Sequence, residues 1–449
     1  MLHDLLRIPI VHPAVLVPVD VIAALLVIVT LLPDRNRPDR NRPDRNRRGG
    51  QLRRLLWRIG GIVVGAVVGV VLTWWIGDVQ DAFGVSFTPV TRMWIAMLFG
   101  VAGLLVVALV QGRNGRRVVA VLATAAVALA TGLGINVDFG AYRTIEQAIT
   151  TDPYPAGSLG HEQGIGSAVL PVATTSTWTA PAGMPKHGRI ISVRIPATVS
   201  HFHARRAVVY LPPAALTATP PVLPVVISLS GQPGQPSDMF ATGRLGDVMN
   251  QYAAAHHGLA PIVVAPDQLG APNRNPMCVD SRRLGRSATY IMTDTTNWIR
   301  SHLRVANGSG AWGIVGFSQG ATCAMQFSTE HPGVFGAALA ISSELAPVTG
   351  NASHSIAVAF HGSAAAYREA APLTIMHEHA PYIDHLTVFA YGSQDAPYRA
   401  STTALRAGAI AAGMDTRLIV SPGSAHDWNT VRYAIVNGMP IVLDHLGLR

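Results

Sequence analysis

Three residues in the C-terminal half, Ser318, Asp395 and His426, have the types that acyl transfer requires. A serine hydroxyl is a weak nucleophile until a base within hydrogen-bond reach takes its proton and a third group holds that base in place. Ser318 is the centre of Gly316-Phe317-Ser318-Gln319-Gly320. The apolar run Trp312–Val315 before it reads as a buried strand, and Ala321–Phe327 after it reads as a helix. Strand, Gly-x-Ser-x-Gly and helix, in that order, describe a sharp turn that presents a serine for attack. The glycines leave room where side chains would collide. Asp395 closes Gly392-Ser393-Gln394-Asp395 behind one expected strand, and His426 closes Ser421-Pro422-Gly423-Ser424-Ala425-His426 behind the last. Glu344, behind the preceding strand, is a rival for the acid, and Asp384 and Asp427 are weaker rivals.

Acyl transfer also develops an oxyanion, which backbone N–H donors can receive. The expected donors are Gln319, directly after the nucleophile, and Gln232 in Ser230-Gly231-Gln232-Pro233-Gly234. The plainer reading of the second segment is a Gly-Pro turn.

Positioning these residues takes a sheet. Strands are expected at 189–195, 207–211, 222–229, 261–265, 313–317, 336–341, 386–391 and 417–420. Helical patterns fit 243–255, 288–303, 319–330, 398–412 and 430–446. Apolar strands alternating with helices argue for a mostly parallel sheet covered on both faces. Such sheets bind ligands beyond the carboxyl ends of their strands, where Ser318 lies.

These residues resemble a known family. Gly-Phe-Ser-Gln-Gly-Ala, then His331-Pro332-Gly333-Val334-Phe335-Gly336-Ala337, Gly392-Ser393-Gln394-Asp395 and His426-Asp427-Trp428 are similar to the putative-esterase family of α/β-hydrolases. That family includes esterase D, the enterochelin esterases and the antigen 85 mycolyltransferases. The resemblance covers 190–446. It implies a serine hydrolase or acyltransferase acting on esters or thioesters, with no cofactor. The mycolyltransferases carry Met after the nucleophile and Glu as the acid, whereas this chain has Gln319 and Asp395, which favours the broader esterase reading. Transfer to a sugar or lipid hydroxyl is the alternative, and an inactive hydrolase fold used as a binding module is the second.

The N-terminal third has a different composition. The chain is 49% hydrophobic and 13% charged, apolar for a soluble protein, and the apolar excess gathers in four segments, 13–32, 55–76, 93–110 and 118–137. A span needs about 20 residues to cross the hydrocarbon. The first segment carries Pro18 and Asp20, so an interfacial or signal-anchor-like segment is its other reading. Between Pro33 and Arg58 ten Arg stand against three Asp, +7 of the net +9. This basic loop and Arg113, Arg116 and Arg117 are expected inside, which places everything after the fourth segment outside. Its Pro-Asp-Arg-Asn-Arg repeat reads as a solvated tether or as a contact for anionic lipid heads. The expected organisation is a membrane region at 1–137 with the basic loop at 33–54, a linker at 138–187 and an extracytoplasmic α/β-hydrolase domain at 188–449. Four spans before an outer esterase domain look like the envelope esterases of mycolate-bearing actinobacteria, with acyl-ester lipid or glycolipid substrates. The C-terminal half has no basic stripe with interleaved aromatics, so nucleic acid is not expected.

The two cysteines, Cys278 and Cys323, would both lie outside, where a disulfide can form, and two buried thiols are the alternative. Arg282 and Arg283, in the long polar loop 267–286, are candidates for an anionic head group or plain solvated charges. His377-Glu378-His379 and Asp384-His385 lack a recognised metal spacing.

Overall fold

The computed structural model describes residues 6, 8–32, 44–80, 87–149, 153–157, 159 and 170–448, the side chains of 44–49 excepted. The chain divides into two compact units, Met1–Ile149 and Thr150–Arg449.

The first unit consists mainly of four helices: α1 (Pro13–Leu31), α2 (Asp44–Trp74), α3 (Pro89–Gln111) and α4 (Asn114–Phe139). The apolar stretches Pro13–Leu31, Gly50–Val79, Pro89–Gln111 and Asn114–Phe139 are long and apolar enough to cross a membrane. Large side chains such as Val63, Val64, Val67 and Val71 point outward, an exposure that water would penalise. Where α2 and α3 meet, Gly61, Gly65 and Gly103 let backbones approach so closely that a Cβ on any of them would strike the other helix. Arg58 of the basic segment donates to the terminal carbonyls of Leu31 and Leu32 at 3.1 and 3.0 Å, capping α1. The first part of the basic loop, 33–43, lies outside the described residues. A short helix, α5 (Ile145–Ile149), ends the unit.

The second unit is an α/β domain built on an eight-stranded sheet. Its strands are β1 (Arg189–Val193), β2 (Ala207–Leu211), β3 (Val225–Leu229), β4 (Ile262–Ala265), β7 (Trp312–Phe317), β8 (Ala337–Ile341), β9 (Leu386–Gly392) and β10 (Asp415–Ser421). A separate small hairpin pairs β5 (Asp280–Ser281) with β6 (Gly285–Arg286). The spatial order is β1-β2-β4-β3-β7-β8-β9-β10. Only β2 runs against its neighbours in that sheet; from β4 to β10 every pairing is parallel. The inner strands β3, β4, β7, β8 and β9 are buried at every residue, which is why they read as continuous apolar runs.

Helices cover both faces. On β9, Val388 and Ala390 join the cluster that holds Val431, Ile435 and Met439, while Phe389 joins Met325, Leu405 and Ala409 on the other side. The α-helices of six residues or more are α6 (Leu245–Ala255), α7 (Thr296–His302), α8 (Gln319–Glu330), α9 (Ala352–Ala359), α10 (Ala364–Glu369), α11 (Pro372–His379), α12 (Ala396–Ala411) and α13 (Trp428–His445). Three differences from the sequence reading stand out. The expected helix over 288–303 is broken by a π-helical stretch, Tyr290–Thr295. The 44 residues between β8 and β9, which showed no clear period, contain α9, α10 and α11. The stretch read as linker also packs on the sheet: Ser192 N–H donates to Pro155 O at 2.9 Å, and Trp178 Nε1 donates to His257 O at 3.1 Å. Residues 150–152, 158 and 160–169 of that stretch lie outside the described residues.

Candidate active site

Six neighbouring strand ends build the site. The segments after β4, β3, β7, β8, β9 and β10 carry, in that order, Gln268, Ser230–Gly234, Ser318, Ser342, Asp395 and His426.

Ser318 sits between β7 and α8 at φ +55° and ψ −120°. A non-glycine residue rarely holds such a backbone, and it persists only where its surroundings fix it. Here Ser318 N–H donates to Ile341 O at 2.9 Å, and its carbonyl accepts from Ala321 and Thr322 N–H at 2.9 and 3.0 Å. A Cβ on Gly316 would overlap the Gly320 carbonyl, and one on Gly320 would overlap the carbonyls of Ser230 and Leu229. Both glycines of the pentapeptide are therefore steric necessities of the turn.

Asp395 is almost completely buried, and its Oδ2 lies 3.2 Å from His426 Nδ1. Ser342 Oγ donates to the same oxygen at 3.5 Å. The two loops that present acid and histidine are joined along their length. Gln394 N–H donates to Ser424 O, Ser393 N–H to Ser421 O, and Gly423 N–H to Ser393 Oγ, all at 2.9 Å. Asp427 accepts from Ala425 and Thr430 N–H, at 2.8 and 2.9 Å, so it caps α13 and shapes the His426 turn. The imidazole stacks between Phe317, with ring centroids 4.8 Å apart, and Tyr398, at 4.0 Å. Phe317 precedes Ser318 in the chain, so the stack ties the histidine to the serine's strand.

The rival acids lie elsewhere. Glu344 is held by Thr322, which receives Glu344 N–H at 3.0 Å and donates Oγ1 to the carboxyl at 3.3 Å. Burial pushes this carboxyl up to about 7, against the opposing pull of Thr322. Asp384 is exposed beside His445.

Gln319 opens α8, so its N–H has no acceptor within the helix. Its side chain points away, with Nε2 donating to Cys323 Sγ at 3.1 Å and Oε1 accepting from Gln268 Nε2 at 3.2 Å. Gln268, completely buried, also donates to Ser230 O at 2.7 Å. That bond and Gly234 N–H to Pro272 O, at 2.9 Å, hold the two ends of the loop that carries Gln232. Cys278 and Cys323 are joined in a disulfide, which ties the 267–286 loop to the first turns of α8. Arg282 and Arg283 are exposed at the turn of the β5–β6 hairpin. Among the described residues no group of three or more His, Cys, Asp or Glu could hold a metal ion.

Sequence reading passed over Ser342, Gln268, Tyr398 and the role of Phe317. One signal could have found the first two: each follows a strand whose end adjoins Ser318 or its neighbouring strands, and such ends converge on a ligand in parallel sheets.

A family model described as Putative esterase matches residues 202–426. The chain is 30% identical over 271 residues to an uncharacterized protein of Corynebacterium glutamicum; the match takes in 58% of this chain and 63% of that relative's length. Among solved structures, it is similar to an S-formylglutathione hydrolase from Agrobacterium tumefaciens, with TM-score 0.48 and 16% identity over 59% of this chain and 97% of the other. A ferulic acid esterase has TM-score 0.47 and 17% identity over 58% of this chain and 99% of its own.

Proposed function

The chain belongs to the Putative esterase family, and from that premise we propose that its C-terminal unit is a serine esterase that cleaves acyl esters through Ser318, His426 and Asp395. The observation that carries the reading is the 3.2 Å approach of His426 Nδ1 to a buried Asp395, with the imidazole stacked on Phe317, the residue before a serine held at positive φ.

An ionised carboxylate only accepts, so the Nδ1 proton stays on the imidazole and Nε2 is left to exchange protons. Ser318 Oγ attacks the acyl carbon while Nε2 takes its proton. The oxyanion is received by the N–H groups of Gln319 and Gln232. Collapse breaks the bond to the alkoxy oxygen, which leaves as the alcohol with the proton from His426. Water then attacks the acyl-enzyme, gives one proton to His426, and the acid departs as that proton returns to Ser318. Tyr398 and Phe317 hold the imidazole between them throughout.

The four apolar helices serve as a membrane anchor, with the basic segments inside and the esterase unit outside. That location favours acyl-ester lipids or glycolipids of the cell envelope as substrates, with Arg282 and Arg283 as contacts for an anionic head group.

A fluorophosphonate probe tests the chemistry. Wild type is expected to label and Ser318→Ala to remain unlabelled; equal labelling of the two, or none in folded wild type, overturns the reading. Turnover with and without a sugar or lipid alcohol then separates hydrolysis from transfer. Single cysteines test the topology: Ile383→Cys, 87% exposed in the second unit, should react with a membrane-impermeant maleimide in intact cells, and Asn114→Cys should not.

A further inference from the structure

A recess with three arginines in its lining lies on the same rim of the sheet, and the proposed acyl chemistry does not use it. It is a cavity of about 410 Å³ lined by Arg194, Arg205, Arg206, Gln235, Ser237 and apolar neighbours. The topology puts it there. β2 runs against β1 and β4, so the start of β2 lies beside the carboxyl ends of both, with Ala207 opposite Val193 and Val208 opposite Ala265. Arg205 and Arg206 precede β2 and Arg194 follows β1, so three guanidiniums meet at one corner.

Two of the three are fixed in advance. Arg206 donates Nε to Ser192 Oγ at 3.0 Å and Nη2 to Ser192 O at 2.7 Å. Arg205 donates Nε and Nη2 to Asp267 at 2.9 and 2.7 Å, and Nη2 to Gly234 O at 3.1 Å. Its Nη1 is buried and has no hydrogen-bond partner, an uncommon state for a cationic donor. Arg194 is exposed, and neither it nor Arg206 has a carboxylate partner among the described residues. Asp267 is used up internally, accepting also from the N–H groups of Arg205, Leu269 and Gly270. The other nearby carboxyl, Asp238, accepts from Gln235 N–H. The three cations therefore outnumber the acids around them, and only one is neutralised by a direct pair.

We propose that this cleft binds a phosphate-like oxyanion. Guanidiniums offer paired N–H donors in a plane that matches phosphate oxygens. Holding them by prior hydrogen bonds lowers the ordering cost of binding. The volume lies in the range of small-molecule sites and accommodates a phosphate together with the first atoms of its carrier. The cleft shares a wall with the chemistry: Gln235, Pro236 and Ser237 line it, and they continue the loop that presents Gln232. The anion is either free phosphate or the phosphate head of a lipid ester whose acyl group reaches Ser318.

Titration calorimetry of the full-length protein in neutral detergent, with inorganic phosphate at constant ionic strength and chloride as the blank, tests the site itself. Saturable binding is expected, weakened at least tenfold in Arg194→Gln with unchanged melting temperature, and in Arg206→Gln with cooperative unfolding retained. No saturable binding in wild type, or undiminished binding in both variants, overturns the proposal. The source is read by comparing dihexanoyl phosphatidate with dihexanoylglycerol as substrates. A tenfold lower KM for the phosphatidate, lost in Arg206→Gln, supports the lipid head group. Equal KM values alongside saturable phosphate binding support the free anion. Failure to cleave either ester counts against the esterase reading and leaves the phosphate titration to decide the site.

Discussion

Asp395 and Glu344 stand in comparable places, each just past the end of a parallel strand, yet their surroundings differ. Asp395 faces the imidazole of His426, takes a second hydrogen bond from Ser342, and sits in a loop joined by hydrogen bonds to the loop of the histidine. Glu344 turns back toward α8, where its carboxyl accepts from the Thr322 hydroxyl, and it is pushed up to about 7 by burial. A strand end makes a carboxyl a candidate; its hydrogen-bond partner decides whether it orients a base or merely endures desolvation.

The largest effect should come from Asp395→Asn, which keeps the shape and loses the charge that holds the imidazole. Turnover is expected to fall about 10³- to 10⁴-fold with KM little changed. Near-normal turnover would break the contrast and return Glu344 to consideration.

Glu344→Gln should leave turnover within a few-fold of wild type and act on stability instead. A carboxyl whose value is 4.5 unfolded and about 7 folded holds more protons in the folded state between those pH values. Stability therefore falls as pH rises from about 4.5 to about 7 and levels off above, by at most about 3 kcal/mol. Thermal unfolding at pH 5 and pH 8 should show a larger loss in wild type than in Glu344→Gln. Equal losses would mean that the carboxyl is better solvated than its position suggests.

Ser342→Ala should give the smallest change. It removes one long hydrogen bond to Asp395, worth about 1 kcal/mol, so turnover should drop by less than about tenfold. A loss as large as that of Asp395→Asn would show that the serine, and not only the loop pairing, holds the acid.

Much of this site is legible in the amino-acid sequence. The elbow is legible because its requirements are local: an apolar strand, two glycines where a Cβ would overlap a carbonyl, and a helix directly after. The four long apolar helices are legible for a similar reason, since a predominantly apolar stretch of 18 or more residues carries its own signal. The segment between β8 and β9 is not, because its helices are only six to eight residues long and too short for a clear period. The π-helical stretch at Tyr290–Thr295 also escapes, since one extra residue per turn leaves no mark on composition.

The sequence by itself determined the sharp turn at Ser318, the chain order of Ser318, Asp395 and His426, the alternation of strands and helices, and the four apolar stretches. All follow from sterics or hydropathy over a few adjacent residues. The tertiary structure decided which carboxyl meets His426, that Cys278 pairs with Cys323, that Gln268 supports Ser230 and Gln319, and that Arg194, Arg205 and Arg206 share one cleft. Those meetings depend on the order of strands in the sheet. A hydrogen bond between strand ends dozens of residues apart is fixed by that order and leaves no local period to read.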